Sequence, residues 1–369
     1  MSRYVRLDPG VPAPWFQQRT EVNPRYRLDS VAGRYVVLAF VGTARDEGAQ
    51  RMLRFVHERQ PHPFDDERAM AFAVSADPED RSQQRLADRL PGLRIFWDFD
   101  QSVSRRYGAL PDDADGTDLR YRRFWLILDP TLRVRHVVEA QADGGELDGL
   151  ATYLDALPDP VDHAGMELPV PILVLPDVFE PAFCTALIDH YEQRGGTPSG
   201  FMQDVDGRSV QVMDTRHKVR ADVLIEDAAL RGQVQQRIVQ RVVPEIARIH
   251  YFQVTRMERY LIGCYDAETG GHFRPHRDNT TTSTAHRRFA LSINLNDAFD
   301  GGELYFPEYS ARRFKPPVGC GIVFSCALMH AVSPVRAGRR FAFLPFLYDD
   351  DAAAIRERNL AGAPATAVP

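Results

Sequence analysis

The hydrophobic pattern changes character once along this chain, and that change limits what it can fold into. Before a proline- and glycine-punctuated stretch, Leu157-Pro-Asp-Pro-Val-Asp-His-Ala-Gly165, apolar residues come in near-continuous runs between helix-like segments. Beyond it, after two helical stretches, the period falls toward two. Continuous apolar runs fit strands covered on both faces, as in an α/β sheet. Alternation with frequent turn signals fits antiparallel sheets. Two domains of different class are expected, and 369 residues accommodate them at about 100–200 per domain. The expected division is 1–160, 168–350 and a flexible tail over 351–369, rich in Ala, Asp and Pro.

In the first half, Arg34-Tyr-Val-Val-Leu-Ala-Phe-Val41 and Met70-Ala-Phe-Ala-Val-Ser75 read as buried strands. Between them, Gln50–Arg59 sets Met52, Leu53, Phe55 and Val56 at helical spacing, and Pro78–Arg89 is a polar, helix-prone stretch. Phe124–Leu128 and Val134–Val138 flank an Asp129-Pro130 turn, as in a hairpin. This β-α-β order closed by a hairpin indicates an α/β domain. With Val11-Pro-Ala-Pro-Trp15 before the first strand and Leu126-Ile-Leu-Asp-Pro130 late, it resembles the peroxiredoxin branch of the thioredoxin fold over roughly residues 5–157. Those enzymes need a nucleophilic cysteine in the loop after the first long strand, its pKa lowered by a helix N-terminus and an arginine. Here that loop, Gly42–Ala49, holds no cysteine. Arg122 and Arg123, the matches for the supporting arginine, have no thiolate to activate. Thiol peroxidase chemistry is excluded, and a binding or scaffold role is expected of this half.

In the second half, Val170–Leu175 is apolar and Phe183–Tyr191 has helical periodicity. Asp227–His250 reads as a helix with Val234, Ile238, Val242, Val243, Ile246 and Ile249 on one side, kinked or divided at Pro244. Five short strands follow, over Gln253–Cys264, Arg288–Asn296, Glu303–Phe306, Gly319–Phe324 and Arg340–Tyr348. They fit an antiparallel barrel or double-sheet jelly roll. Gly196–Val212 and Asn279–Arg287 read as loops able to cover its mouth.

The sharp feature of this half is Gly270-Gly-His-Phe-Arg-Pro-His276-Arg-Asp278-Asn279. In extended backbone, residues two apart point the same way. His276 and Asp278 can therefore offer a nitrogen and an oxygen to one ion, with Arg277 facing away. His330, 52 positions after Asp278, is the candidate third ligand. Two His and one carboxylate take one face of an octahedron and leave three positions open, the facial triad of non-haem iron(II) oxygenases. A 2-oxoglutarate molecule chelating that iron leaves a distant carboxylate to be anchored. The fork of Arg340, ten positions after His330, suits it.

Together with Gly301-Gly-Glu-Leu-Tyr-Phe306, His330-x-Val-x-Pro-Val335 and Gly338-x-Arg340, these residues resemble the prolyl 4-hydroxylase-like group of iron/2-oxoglutarate oxygenases over roughly residues 168–348. The resemblance implies a double-stranded β-helix (jelly roll, cupin-like) with flanking helices, and hence an α+β two-domain chain. It implies iron(II) on His276, Asp278 and His330, 2-oxoglutarate anchored by Arg340, O2 as second co-substrate, and ascorbate as an auxiliary reductant. Tyr265 sits where the group often has a tyrosine lining the co-substrate pocket, and an ordinary core tyrosine is the competing reading. Asn294 lies on the strand that supplies a further polar contact. The group often ends on a Trp, whereas the last strand here reads Phe341-Ala-Phe-Leu-Pro-Phe-Leu-Tyr348. His272 competes for a ligand role, and Arg336 and Arg339 compete with Arg340; a loop histidine and solvated arginines are the plainer readings. Glu303 reads equally as a support of the site or as an edge-strand charge.

The function expected is hydroxylation of a C–H bond on a protein side chain, prolyl among the choices, or on a small amino-acid-like metabolite. Demethylation or desaturation on the same scaffold, and a non-catalytic ligand-binding or scaffold protein, are the alternatives. The net charge of −6 argues against a nucleic-acid partner. No segment is long and apolar enough to span a bilayer and the N-terminus has no apolar h-region, so a cytoplasmic location is expected. The four cysteines, Cys184, Cys264, Cys320 and Cys326, form no CxxC pair and read as buried free thiols.

Overall fold

A computed structural model describes residues 4–111, 120–205 and 208–361. The chain divides into two compact units, Met1–Pro169 with Pro307–Ser310, and Val170–Phe306 with Ala311–Pro369.

The first unit is built on β1 (Tyr35–Gly42), α1 (Glu47–Glu58), β2 (Ala69–Ser75), β3 (Leu93–Trp97), β4 (Phe124–Leu128), β5 (Val134–Glu139) and α2 (Leu147–Asp155). Its sheet runs β3-β2-β1-β4-β5, with β1, β2 and β3 parallel and β4 and β5 antiparallel. Every residue of β1 and β2 is buried, which is why both read as unbroken apolar runs. Asp46 caps α1 by accepting from the Ala49 amide at 3.0 Å, and Ala49, Met52, Leu53, Phe55 and Val56 turn onto the sheet. The stretch 78–89 is helical only over Pro78–Ser82. Asp80 is drawn inward there, accepting from the Ala44 amide and Ser75 Oγ, each at 2.8 Å, and Gln84 takes a positive φ of 52° that ends the helix. The loop after β1 is fastened by Arg123. Arg123 Nε donates to Val41 O at 3.0 Å and its Nη2 to Asp46, while Arg122 pairs with Glu139.

The second unit comprises β6 (Ile172–Leu175), α3 (Pro181–Arg194), β7 (Phe201–Val205), β8 (Arg208–Val212), β9 (Lys218–Val219), β10 (Ala221–Leu224), α4 (Ala228–Arg241), α5 (Val243–His250), β11 (Arg256–Glu258), β12 (Leu261–Asp266), β13 (His272–His276), β14 (Phe289–Asn294), β15 (Leu304–Tyr305), β16 (Gly321–Ser325), β17 (His330–Val332), β18 (Val335–Phe343), β19 (Phe346–Tyr348) and α6 (Asp350–Ala361). A small antiparallel sheet runs β9-β13-β17-β15. A larger one runs β11-β19-β14-β18-β12-β10, with β16 joining β14 to β6. Period two sorts the larger sheet. Ile262, Cys264, Leu291, Ile293, Phe341 and Phe343 pack in one core with Leu187, Tyr191, Val234, Ile238 and Ile246 of the helices. Their alternates Tyr265, Ser292, Asn294 and Arg340 therefore share the opposite, inner face.

Several boundaries differ from the sequence expectation. Pro244 divides the long helix cleanly, because it sits in the first turn of α5, where a missing N–H costs nothing. The last long strand starts at Val335, so Arg340 lies within it; four exposed residues, Arg336–Arg339, hide its start from a hydrophobic pattern. The described part of the tail is helical to Ala361. Asp349 Oδ1 caps α6 through the Ala352 amide at 2.9 Å, and alanine is the best helix former. Residues 362–369 lie outside the described residues. Gly196–Val212 contains the antiparallel hairpin β7–β8 rather than a plain loop, whereas 279–287 is built of turns and bends. These two segments and α6 are linked: Thr282 Oγ1 donates to Asp204 Oδ2 at 3.1 Å, and Asn359 Nδ2 donates to Thr282 O at 2.7 Å. All four cysteines are buried and free, and burial pushes the Cys184 and Cys264 thiols up to about 11. No helix among the described residues is long and apolar enough to cross a membrane.

Candidate metal and anion site

β13 ends on His276, and its register places His276 directly opposite His330 at the start of β17, across an irregularity between Phe273 and His276. Residues opposed in an antiparallel pair point the same way, and the two imidazole centroids lie 4.2 Å apart. Asp278 follows two residues on, held by its amide donating to Cys326 O at 2.9 Å. Its Oδ1 stands 3.6 Å from His276 Nε2 and its Oδ2 3.3 Å from His330 Nε2. One ligand atom from each of the three residues lies within 4.8 Å of the others.

The far side of each imidazole is occupied. His276 Nδ1 lies 2.8 Å from Arg274 O and His330 Nδ1 3.1 Å from Leu328 O. A carbonyl can only accept, so each Nδ1 carries a proton, and each Nε2 faces the carboxylate. Burial and the neighbouring His330 push His276 down to about 4, keeping that imidazole neutral. Burial would raise the Asp278 carboxyl, but the two imidazoles hold it well below the usual carboxylate range. Two imidazole nitrogens and one carboxylate oxygen on a single side form a donor set that fits a divalent first-row metal with open positions. Phe273 lies flat against His276, centroids 3.5 Å apart, and Phe324 packs on His330 at 4.6 Å. Arg277 turns its guanidinium away, onto Ala327 O.

Arg340 is 2% exposed on the inner face. Its Nε and Nη2 donate to Asn294 Oδ1 at 3.2 and 3.0 Å, and Nη2 also to Ser292 Oγ at 3.1 Å. Nη1 is buried and has no hydrogen-bond partner. A guanidinium tied on two of its nitrogens, with the third bare, is shaped to receive an anion, since an unsatisfied buried donor costs about 1–3 kcal/mol. Tyr265 stands opposite Arg340 in the sheet register, its ring centroid 5.5 Å from the guanidinium carbon. Its hydroxyl accepts from Arg220 Nη1 at 3.4 Å, and Arg220 forms a two-point pair with Asp222 at 2.5 and 2.7 Å.

The Gly301-Gly302 pair belongs to the same construction. Both residues have positive φ, +75° and +65°. A Cβ on Gly301 would meet Pro334 O at 2.1 Å, and one on Gly302 would meet Val335 Cγ2 at 2.9 Å and Arg340 Cδ at 3.2 Å. The glycines therefore let this strand lie against the arginine stem.

Other candidates from the sequence fall outside the cluster. His272 stands on β13 with its ring nitrogens on Gly270 O and Arg216 O, at 2.7 and 3.4 Å. Arg336 pairs with Asp300 and Arg339 with Glu192, both near the surface. Glu303 is bonded to Ser333. The structure adds Ser292, Phe273, Lys218, Arg220 and Asp222, none of which carried a separate signal in the sequence.

Comparison with known proteins follows the same division. Residues 235–348 match the family model of the 2OG-Fe(II) oxygenase superfamily, and residues 9–137 match that of the AhpC/TSA family. PKHD-type hydroxylases from two Synechococcus strains, JA-2-3B'a(2-13) and JA-3-3Ab, are each 27% identical over 124 residues, 30% of this chain. The chain spans about half, 54%, of the length of these curated relatives. Among solved structures, a Trichoplax adhaerens prolyl hydroxylase in complex with a hypoxia inducible factor peptide is 16% identical, with a TM-score of 0.40 over 57% of this chain and 96% of that one. A Pseudomonas putida prolyl-4-hydroxylase is 16% identical, at a TM-score of 0.35 over 51% of this chain and 96% of that one. The bacterioferritin comigratory protein of Xanthomonas campestris is 20% identical, at a TM-score of 0.33 over 40% of this chain and 98% of that one.

Proposed function

Starting from a chain that joins an AhpC/TSA-type region to a 2OG-Fe(II) oxygenase region, we propose that its second unit is an iron(II)- and 2-oxoglutarate-dependent dioxygenase. The reaction we assign is hydroxylation of a C–H bond, on a protein side chain such as prolyl or on a small amino-acid-like molecule. We read its two antiparallel sheets as a double-stranded β-helix. The observation that carries the reading is the presence of two elements in one unit: the His276, Asp278 and His330 cluster with two members on the smaller sheet, and the bare Nη1 of Arg340 on the larger one.

In this reading His276, Asp278 and His330 hold the metal, and Arg340 takes the far carboxylate of 2-oxoglutarate. Bound iron(II) with 2-oxoglutarate and O2 supplies the oxidising power, with release of succinate and CO2. The chain supplies binding, orientation and exclusion of water. Leu328 O and Arg274 O fix the tautomers that turn both Nε2 atoms inward. Asn294 and Ser292 hold the Arg340 fork, while Tyr265 covers its face. Phe273 packs on His276, and Phe306 and Phe324 pack on His330, giving both imidazoles an apolar surround. The first unit, without a cysteine in the loop after β1, fits a binding or scaffold role.

The test is an anaerobic titration with iron(II) and 2-oxoglutarate, following the visible band of the ternary complex in wild type and His276→Ala. A band in wild type that vanishes in the variant supports the assignment. No band from folded wild-type protein overturns it.

A further inference from the structure

The chain has 45 Lys and Arg residues, and only two of them are lysines, Lys218 and Lys315. One of the two stands at a deeply enclosed position: Lys218 is 6% exposed. On β9 it is in register with Phe273 of β13, so both side chains point to the same face. Phe273 in turn lies flat on His276. The lysine is thus one aromatic ring away from a proposed metal ligand, its Nζ 5.1 Å from the Phe273 centroid.

An ammonium has three donors. Lys218 Nζ gives one to Gly200 O, at 2.6 Å, and no carboxylate of the described residues pairs with it. Asp222 and Asp278 act on it only from beyond ion-pair distance. Arg220 and Asp222, its i+2 and i+4 neighbours on the inner face, pair with each other, and Arg259 stands 3.5 Å from the same carboxylate. His217 packs between Phe201 and Phe273. One carboxylate is therefore shared by two guanidinium groups, and the ammonium beside them has none. Enclosing an unpaired charge is costly, and burial drives this amine down to about 6. An arriving anion would remove that cost.

Resting on the oxygenase reading above, we propose that Lys218 anchors a carboxylate of the primary substrate, which makes that substrate a small carboxylic acid of the amino-acid type. The co-substrate does not need this group, because Arg340 already presents a bare donor to it. A single carboxylate matches a single ammonium, whereas a phosphate dianion would bring surplus negative charge into an enclosed site. A lysine suits the task because its compact head carries the charge past the Phe273 ring on a slim stem.

Only two side-chain signals arise when the chain is labelled with 13Cε-lysine, and Lys315→Arg assigns them. The protein is loaded with zinc(II) as a diamagnetic substitute, given 2-oxoglutarate, and then titrated with free L-amino acids, with three- to six-carbon carboxylic acids, and with the matching carboxamides. Iron-loaded protein is run in parallel for succinate release. The expected result is that at least one acid moves the Lys218 signal to its protonated position and raises succinate release at least about 10-fold, while its amide does neither. Lys218→Met is expected to lose that stimulation with 2-oxoglutarate affinity unchanged. A Lys218 signal that answers to 2-oxoglutarate alone, equal stimulation by an amide, or silence to every acid overturns the proposal, leaving Lys218 as a clasp on Gly200. The wild-type signal decides the matter even if the variant fails to fold. Failure of zinc(II) and 2-oxoglutarate to bind at all would instead sink the oxygenase reading itself.

Discussion

Asn294 Oδ1 accepts from two nitrogens of Arg340, at 3.2 and 3.0 Å, and the amide's other end donates to Pro316 O at 2.8 Å. The asparagine is therefore a fixed bracket that aims the guanidinium. Losing a hydrogen bond to a charged group costs about 1.5–3 kcal/mol. Asn294→Ala is accordingly expected to weaken 2-oxoglutarate binding at least about 10-fold and to leave metal affinity unchanged. Separate titrations with metal and then with 2-oxoglutarate check this; an unchanged 2-oxoglutarate affinity would contradict the bracket role.

Gly302→Ala should act on the same side chain from below. A Cβ there falls 3.2 Å from Arg340 Cδ on a backbone with φ +65°. Strain of about 1–2 kcal/mol is expected in chemical denaturation. Weaker 2-oxoglutarate binding should accompany it, and stability loss without that change would show that the arginine stem simply yields.

The Arg220–Asp222 pair gives a sign test for buried charge. Removing one partner strands the other, so Asp222→Ala should cost about 3–5 kcal/mol of stability. Replacing both, as Arg220→Met with Asp222→Leu, should be milder than the single change. Denaturant melts of the three proteins would reveal a more damaging double variant if the pair itself contributes the stability.

Glu258 sets an acid limit. Burial would raise its carboxyl, but the His286 bond at 3.0 Å and Arg287 at 2.7 Å hold it down at about 2, from an ordinary 4.5. A carboxyl depressed by folding stabilises above its unfolded pKa, and that stability is lost as pH falls through the folded one. Glu258→Gln should therefore cost about 2–3 kcal/mol at pH 7. The gap to wild type should close between pH 4.5 and 2. Melting temperatures of both proteins across that window test it; a gap constant with pH would refute the electrostatic origin.

How much of this was legible beforehand depended on whether local pattern or assembled fold decides the position. His276 and Asp278 were readable from their spacing, although β13 ends on His276 and it is the Asp278 amide on Cys326 O that keeps the carboxylate beside it. His330 and Arg340 were readable as spaced residues, but the start of β18 was not, because Arg336–Arg339 face solvent and break the alternation. Lys218, Arg220 and Asp222 follow an ordinary period of two, in which charges normally face out. Only the register of β9 on β13 and of β10 on β12 turns them inward. Ser292 gave no signal, being one polar atom in an apolar strand. The helix α6 was hidden by composition, since alanine and aspartate serve a capped helix as well as a loose tail.

The links from Asp204 to Thr282 and from Thr282 to Asn359 carry an engineering consequence. Asp204 and Asn359, 155 positions apart, are joined through Thr282 by a few polar contacts. Retargeting this scaffold by exchanging any one of the three segments would leave an unmatched seam. The hairpin, the turn after Asp278 and the C-terminal helix are best transplanted as a set.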